Sequence, residues 1–88
     1  MLQKVTVEFF GPFREYGRKL ELKTAGEMTY GELLGRLGEV LGDRFVERAG
    51  KPNTTLVVNN RVVERNALPE LLVHPGDRVA FALLIGGG

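Results

Sequence analysis

The order of hydrophobic patterns along the chain predicts an α+β domain, a mixed sheet of about five strands packed against one main helix. Three observations carry this. Apolar residues alternate with polar ones near the start of the chain and form a dense run near its end, one amphipathic helical pattern lies between them, and two short strand-like runs flank a pair of asparagines. The 88 residues make a single domain, 1–88, with room for one modest core. No internal repeat or linker divides it.

Each element has its own warrant. From Lys4 to Phe10, Val5, Val7 and Phe9 share one face while Lys4, Thr6 and Glu8 share the other, a half-buried strand that Gly11-Pro12 ends. Phe13 to Gly17 is too short for an independent helix and reads as one packed turn. Lys19 to Lys23 alternates again, with Leu20 and Leu22 inward, and forms a hairpin with the first strand. Thr29 and Glu32 have capping-box spacing. Behind them Leu33, Leu34, Leu37, Val40 and Leu41 recur at helical spacing, and Gly42 sits where a glycine closes a helix. Gly35 and Gly38 cost about 1 kcal/mol each against alanine; either they permit close packing on the sheet or they simply weaken the helix.

Asp43 to Ala49 extends the pattern as a second helical turn before Gly50-Lys51-Pro52-Asn53 breaks it. Thr55 to Val58 and Arg61 to Val63 flank Asn59-Asn60, and asparagine tolerates the positive φ angles of a two-residue hairpin turn. Ala67 to Leu72 is a connector with buried leucines, and His74-Pro75-Gly76-Asp77 turns into a last strand that runs to Ile85 beside the first. Strand, strand, helix, two short strands, strand is the order of a ubiquitin-like β-grasp.

Composition excludes several function classes. Twelve Lys and Arg stand against eleven Asp and Glu, for a formal charge of +1, so the basic excess of a nucleic-acid-binding domain is absent. The same balance gives no expectation of a membrane partner, and no apolar run is long enough to span a bilayer. With no signal-peptide pattern at Met1, the expected location is cytoplasmic. There is no cysteine, so neither a disulfide nor a protein thiol takes part in the chemistry.

The chain closes with Leu84-Ile85-Gly86-Gly87-Gly88. Glycines without Cβ atoms can thread a channel that excludes other residues. A stiff apolar strand that delivers a slim terminal carboxylate to another protein is a carrier design, and it makes the Gly88 carboxylate the candidate reactive group. The bland alternative is a frayed terminus or a cloning remnant. Val79, Phe81, Leu83 and Ile85 share one face of the last strand, and Ala80, Ala82 and Leu84 the other. One face is core and the second a partner surface; the residues leave the assignment open, with Phe81 and Leu83 as candidate partner contacts and Leu84 to Gly87 as the partner-binding tail.

Val5 to Phe10 followed by Phe13-Arg14-Glu15, the Leu56-Val57-Val58-Asn59 strand, and His74 to Phe81 leading to Gly87-Gly88 together resemble the sulfur-carrier branch of the ubiquitin-like superfamily. The resemblance covers essentially the whole chain. It is most like the small subunit of molybdopterin synthase, the MoaD type, with the thiamine sulfur carrier ThiS as a cousin. The resemblance implies that Gly88 is adenylated by an activating enzyme of the MoeB kind, that a sulfur donor converts it to a thiocarboxylate, and that a large synthase subunit of the MoaE kind receives the sulfur. It also implies that this chain binds no cofactor itself, ATP being used by the activating partner, and is no enzyme alone. Carriers serving thiamine, tRNA thiolation or cysteine synthesis, a protein modifier, and a plain binding module are the alternatives.

Other conspicuous residues have plainer readings. Arg14 and Glu15 are expected in a solvated turn, and Phe10 and Phe13 in the core or as staples. His74 is structural, with no metal ligand or catalytic acid near it in sequence. Arg61, Arg65 and Arg78 belong to a mixed surface. Gly31, Gly35, Gly38 and Gly42 mimic a glycine-rich motif, yet no Gly-Lys-Ser or Gly-Lys-Thr comes after them to hold a phosphate.

Overall fold

The computed structural model of the chain describes residues 3–83. Strand β1 (Gln3–Phe9) is followed by a 3-10 turn (Gly11–Tyr16) and by β2 (Lys19–Thr24), which pairs antiparallel with β1. Short strand β3 (Met28–Thr29) leads into helix α1 (Tyr30–Leu41) and then α2 (Asp43–Ala49). Strands β4 (Thr54–Val58) and β5 (Arg61–Val63) form a hairpin, a second 3-10 turn (Arg65–Glu70) leads to β6 (Leu72–Val73), and β7 (Arg78–Leu83) ends the described chain. The sheet order is β2-β1-β7-β4-β5, with β7 parallel to β1 and antiparallel to β4. This is the mixed five-stranded sheet with a covering helix of the ubiquitin-like β-grasp.

Local chemistry sets the boundaries. The Thr29 hydroxyl accepts from the Glu32 N–H at 3.1 Å while Glu32 Oε1 accepts from the Thr29 N–H at 2.9 Å, so the capping box is complete. Those bonds from the Thr29 backbone and then its side chain hold the Glu32 carboxyl below its ordinary pKa. Gly42 ends α1 at φ +98°, a conformation costly for any residue with a Cβ. Asn59 and Asn60 take φ of 50° and 70°, the positive pair that a type I′ hairpin turn requires.

The helical pattern has two corrections. Val40, grouped with the apolar stripe in sequence, is 58% exposed, because Leu33 and Leu37 already fill the face over the sheet. Gly38 permits close packing on α2, not on the sheet: a Cβ there would sit 2.9 Å from Val46 Cγ2, whereas a Cβ at Gly35 would meet nothing within 4 Å. The connector from Ala67 to Leu72 holds half-buried Leu68 and Leu71, while Leu72 is exposed, because the chain there runs along the rim of the core. The pairing of β3 with β6, which seats Met28 and Val73 in the core, is not expected from such short segments.

The core is aromatic at the end of the sheet where β7 finishes. Phe45 of α2 meets Phe81, Phe9 and Phe13 edge-on at centroid distances of 5.2, 5.9 and 5.9 Å, and Tyr16 at 5.2 Å. Phe81 is 0% exposed, so its assignment as a partner contact is wrong. Its side chain falls on the same face of β7 as Val79, and the helices cover that face.

Phe81→Ala is expected to cost about 3–5 kcal/mol, read as a fall in the urea midpoint; a loss under about 1 kcal/mol would contradict its place in the core. In the helix pair, Gly35→Ala should stabilise by about 1 kcal/mol, while Gly38→Ala gains nothing because its Cβ meets Val46. Equal gains in the two melts would refute the close approach of α1 to α2.

Candidate functional site

The site is built around the end of β7. This strand is central in the sheet, hydrogen-bonded on both sides, with Phe81 opposite Phe9 on β1 and Leu56 on β4. Pairing with β1 reaches Phe81 and pairing with β4 reaches Leu83, so the strand is held on both sides as far as Phe81 and by β4 at Leu83, where the C-terminal tail departs. Leu84, Ile85, Gly86, Gly87 and Gly88 lie outside the described residues.

Period-two alternation gives β7 two environments. Val79 and Phe81 face the helices, and Leu83 continues that side, half-buried. Ala80 and Ala82 face the other way, onto the side of the sheet that no helix covers. There Val57 of β4 stands opposite both Ala80 and Val62 of β5, forming a row of apolar side chains across three strands. Val62 is 69% exposed and Phe10 42% exposed. A cleft of about 210 Å³ on this face is lined by Glu8, Phe10, Val57, Arg78, Ala80 and Ala82.

The sequence places Phe10 in the core with Phe13, and only Phe13 is buried there. The reason is in the alternation itself: with Phe9 inward, Phe10 points outward, and its backbone N–H donates to the Phe81 carbonyl at 2.9 Å. Arg14 also does more than sit in solvent. Its Nε donates to the Phe9 carbonyl at 3.0 Å, and its guanidinium lies 5.8 Å from the centre of the Phe10 ring. This holds the exposed ring beside the apolar row. Arg78, on the same face, pairs with Glu8 at 3.6 Å, a surface contact of small energetic value.

The helix side of the same strand end is different. Leu83 and Pro12 meet α2 and the loop after it in an open groove of about 490 Å³, also lined by Arg44, Glu47, Arg48 and Lys51. Arg44 and Arg48 fall on one side at helical spacing, because Phe45 and Ala49 turn the other side of α2 into the core, and Lys51 follows from the loop after the helix. Arg48 is fixed by a 3.2 Å bond to the Pro12 carbonyl and a 3.5 Å pairing with Glu15. Burial and the Glu15 carboxylate raise the Tyr16 phenol above its ordinary pKa, against the lowering effect of the Arg48 and Arg44 charges. Sequence reasoning missed this basic stripe; the spacing of Arg44, Arg48 and Lys51 was the signal that could have found it.

His74 has two acidic neighbours, Asp77 three residues on in the same turn and Glu27 from a distant part of the chain. Glu27 Oε2 lies 3.1 Å from its Nε2, and Asp77 Oδ2 lies 3.7 Å from its Nδ1. Asp77 also accepts from the His74 backbone N–H at 2.8 Å and from the Asn59 amide at 2.9 Å. The group ties the turn before β7 to the β4–β5 hairpin, far from the strand's other end. Among the described residues no group of three acidic, histidine or cysteine side chains is arranged to hold a metal ion. No helix among them is long and apolar enough to cross a membrane.

No curated protein sequence matches the chain. Solved structures do. The crystal structure of the thiamine biosynthesis protein ThiS of Geobacter metallireducens is 27% identical with a TM-score of 0.60, over 97% of this chain and 99% of that one. The solution structure of the HVO 2177 protein of Haloferax volcanii aligns with a TM-score of 0.77 at 22% identity, over 99% of this chain and 88% of that one. Small archaeal modifier protein 1 of Methanosarcina acetivorans, also a solution structure, gives 0.72 at 17% identity, over 100% and 99%. These last two establish likeness of fold. The sequence model of the ThiS family matches residues 7–88, from within β1 through the three final glycines, and the chain belongs to that family of small ubiquitin-like sulfur carriers.

Proposed function

We propose that this chain carries sulfur as a thiocarboxylate on Gly88 and serves as the small subunit of molybdopterin synthase. The observation that carries the reading is the family match through Gly86, Gly87 and Gly88, on a chain whose preceding strand is the central one of the sheet. Carriers of this kind work with E1-like adenylating enzymes. The chemistry explains why. A carboxylate with a reference pKa near about 3.5 is ionised at neutral pH and a poor electrophile. Attack of its oxygen on the α-phosphorus of ATP forms the acyl-adenylate and releases pyrophosphate. A sulfur nucleophile then attacks the acyl carbon, AMP leaves, and sulfur remains on the carrier.

In this reading the chain supplies a firmly placed strand, a slim tail and a surface for its partners, while ATP is bound by the adenylating enzyme. Exposed Val62 and Phe10, with half-buried Val57 and the small buried Ala80 between them, support a partner surface on the open face of the sheet, since exposed apolar groups that run together mark interaction sites. The partners are an adenylating enzyme of the MoeB kind and a large subunit of the MoaE kind. The likeness to a thiamine biosynthesis protein favours a second reading, in which the same thiocarboxylate serves thiamine synthesis.

Incubated with ATP, a sulfur source and the adenylating enzyme encoded in the same genome, the chain should gain the mass of one oxygen exchanged for sulfur, at Gly88. Removing Gly87 and Gly88 should abolish the gain; retention of it would refute the role of the tail. The large subunit of molybdopterin synthase should co-purify with the chain, and capture of a thiazole-forming enzyme in its place would select the thiamine reading. On the open face, Phe10→Asp and Val62→Asp should each weaken association with the adenylating enzyme by on the order of tenfold or more, while unfolding free energy changes by under about 1 kcal/mol. Unchanged association by both variants would remove the open face from the interface.

A further inference from the structure

We propose that the groove formed by Pro12, Leu83 and the outer side of α2 is a second docking surface, and that it receives an acidic rim on the adenylating partner. The inference rests on the carrier reading above. Its own basis is the placement of charge around Leu83. Arg44, Arg48 and Lys51 line the groove, with Glu47 as the one carboxylate among its lining residues. Arg48 is already committed to Glu15 and the Pro12 carbonyl. Among the described residues no carboxylate pairs with Arg44 or Lys51, and both side chains are exposed. These are two uncommitted cations on either flank of a fixed arginine, on a chain whose formal charge is only +1.

Geometry then says which occupant meets them. Gly88 is five residues beyond Leu83, a reach of at most about 18 Å when fully extended. Any enzyme that reacts at Gly88 must therefore bring the mouth of its channel against the surroundings of Leu83. Those surroundings differ on the two faces of β7. Ala80 and Ala82 lead to the apolar open face, and Leu83 leads to the basic groove. A partner covering only the open face would leave the tail unsupported on the helix side. An acidic rim there would orient the carrier before the tail enters, through opposite potentials that act over roughly a Debye length of 8–10 Å.

The test uses the full chain with Arg44→Glu, Lys51→Glu and the double variant, and Arg36→Glu on α1 as a control for net charge. Folding is checked by the urea midpoint, and thiocarboxylate formation by the same-genome adenylating enzyme is measured at low salt and at high salt. The double variant should raise the KM for the carrier tenfold or more at low salt with little change in kcat. The wild-type advantage should shrink at high salt, and Arg36→Glu should behave as wild type. Wild-type activation with no effect of either reversal, or with an equal effect of Arg36→Glu, overturns the docking surface and leaves the carrier reading standing. No activation of the wild-type chain by a demonstrably active enzyme overturns both.

Discussion

The aromatic cluster around Phe45 is the constraint on which the rest of the molecule depends. It joins β1, the first 3-10 turn, α2 and β7 through Phe9, Phe13, Phe45 and Phe81, all essentially removed from water. Burying each ring is worth about 1.5–3 kcal/mol, and each well-oriented ring pair adds about 0.5–1.5 kcal/mol. In a domain of this size those amounts are a large share of net stability. The cluster also fixes orientation. With Phe81 locked inward, every other side chain on β7 has its face decided, and so does the direction in which the chain leaves Leu83.

That orientation creates the two surfaces beside the tail. The open face receives Ala80 and Ala82, small enough to leave a shallow cleft between Phe10 and Val57. The opposite side receives the outward stripe of α2, which is basic because Phe45 and Ala49 occupy its inner positions. The placement of α2 depends in turn on Gly38, where the absence of a Cβ admits Val46. One glycine in α1 thus sets how closely α1 approaches the helix that carries the basic stripe.

The far end of β7 is held by polar bonds instead of packing. Asn59 accepts from the Arg78 N–H through its side chain and donates its own backbone N–H to the Arg78 carbonyl, while Asp77 caps the His74 turn. Thr6 and Gly76 add backbone bonds between β1 and the turn. The strand is thereby pinned at its start by a hydrogen-bonded hairpin and turn, and near its finish by rings. Such a strand transmits little motion from the body of the domain to its end, which suits a carrier whose reaction is carried out by another protein's machinery.

Much of this was legible in the residues. Alternation from Lys4 to Phe9 fixed which side chains of β1 face inward, the Thr29–Glu32 spacing located the start of α1, and Asn59-Asn60 marked a hairpin turn, because each depends on chemistry within a few residues. The glycine tail and the order of the elements likewise sufficed to identify the family. What the tertiary structure alone decided is which of two apolar faces of β7 became core. Val79-Ala80-Phe81-Ala82-Leu83 is apolar on both sides, so period-two reasoning has no contrast to work with; only the arrival of Phe45, Phe9 and Phe13 on one side makes that side the interior. The same holds for His74 and Glu27, and for Leu83 and Lys51. Their proximity arises from chain crossings many residues apart, where local sequence exerts no control and the packing of distant elements does.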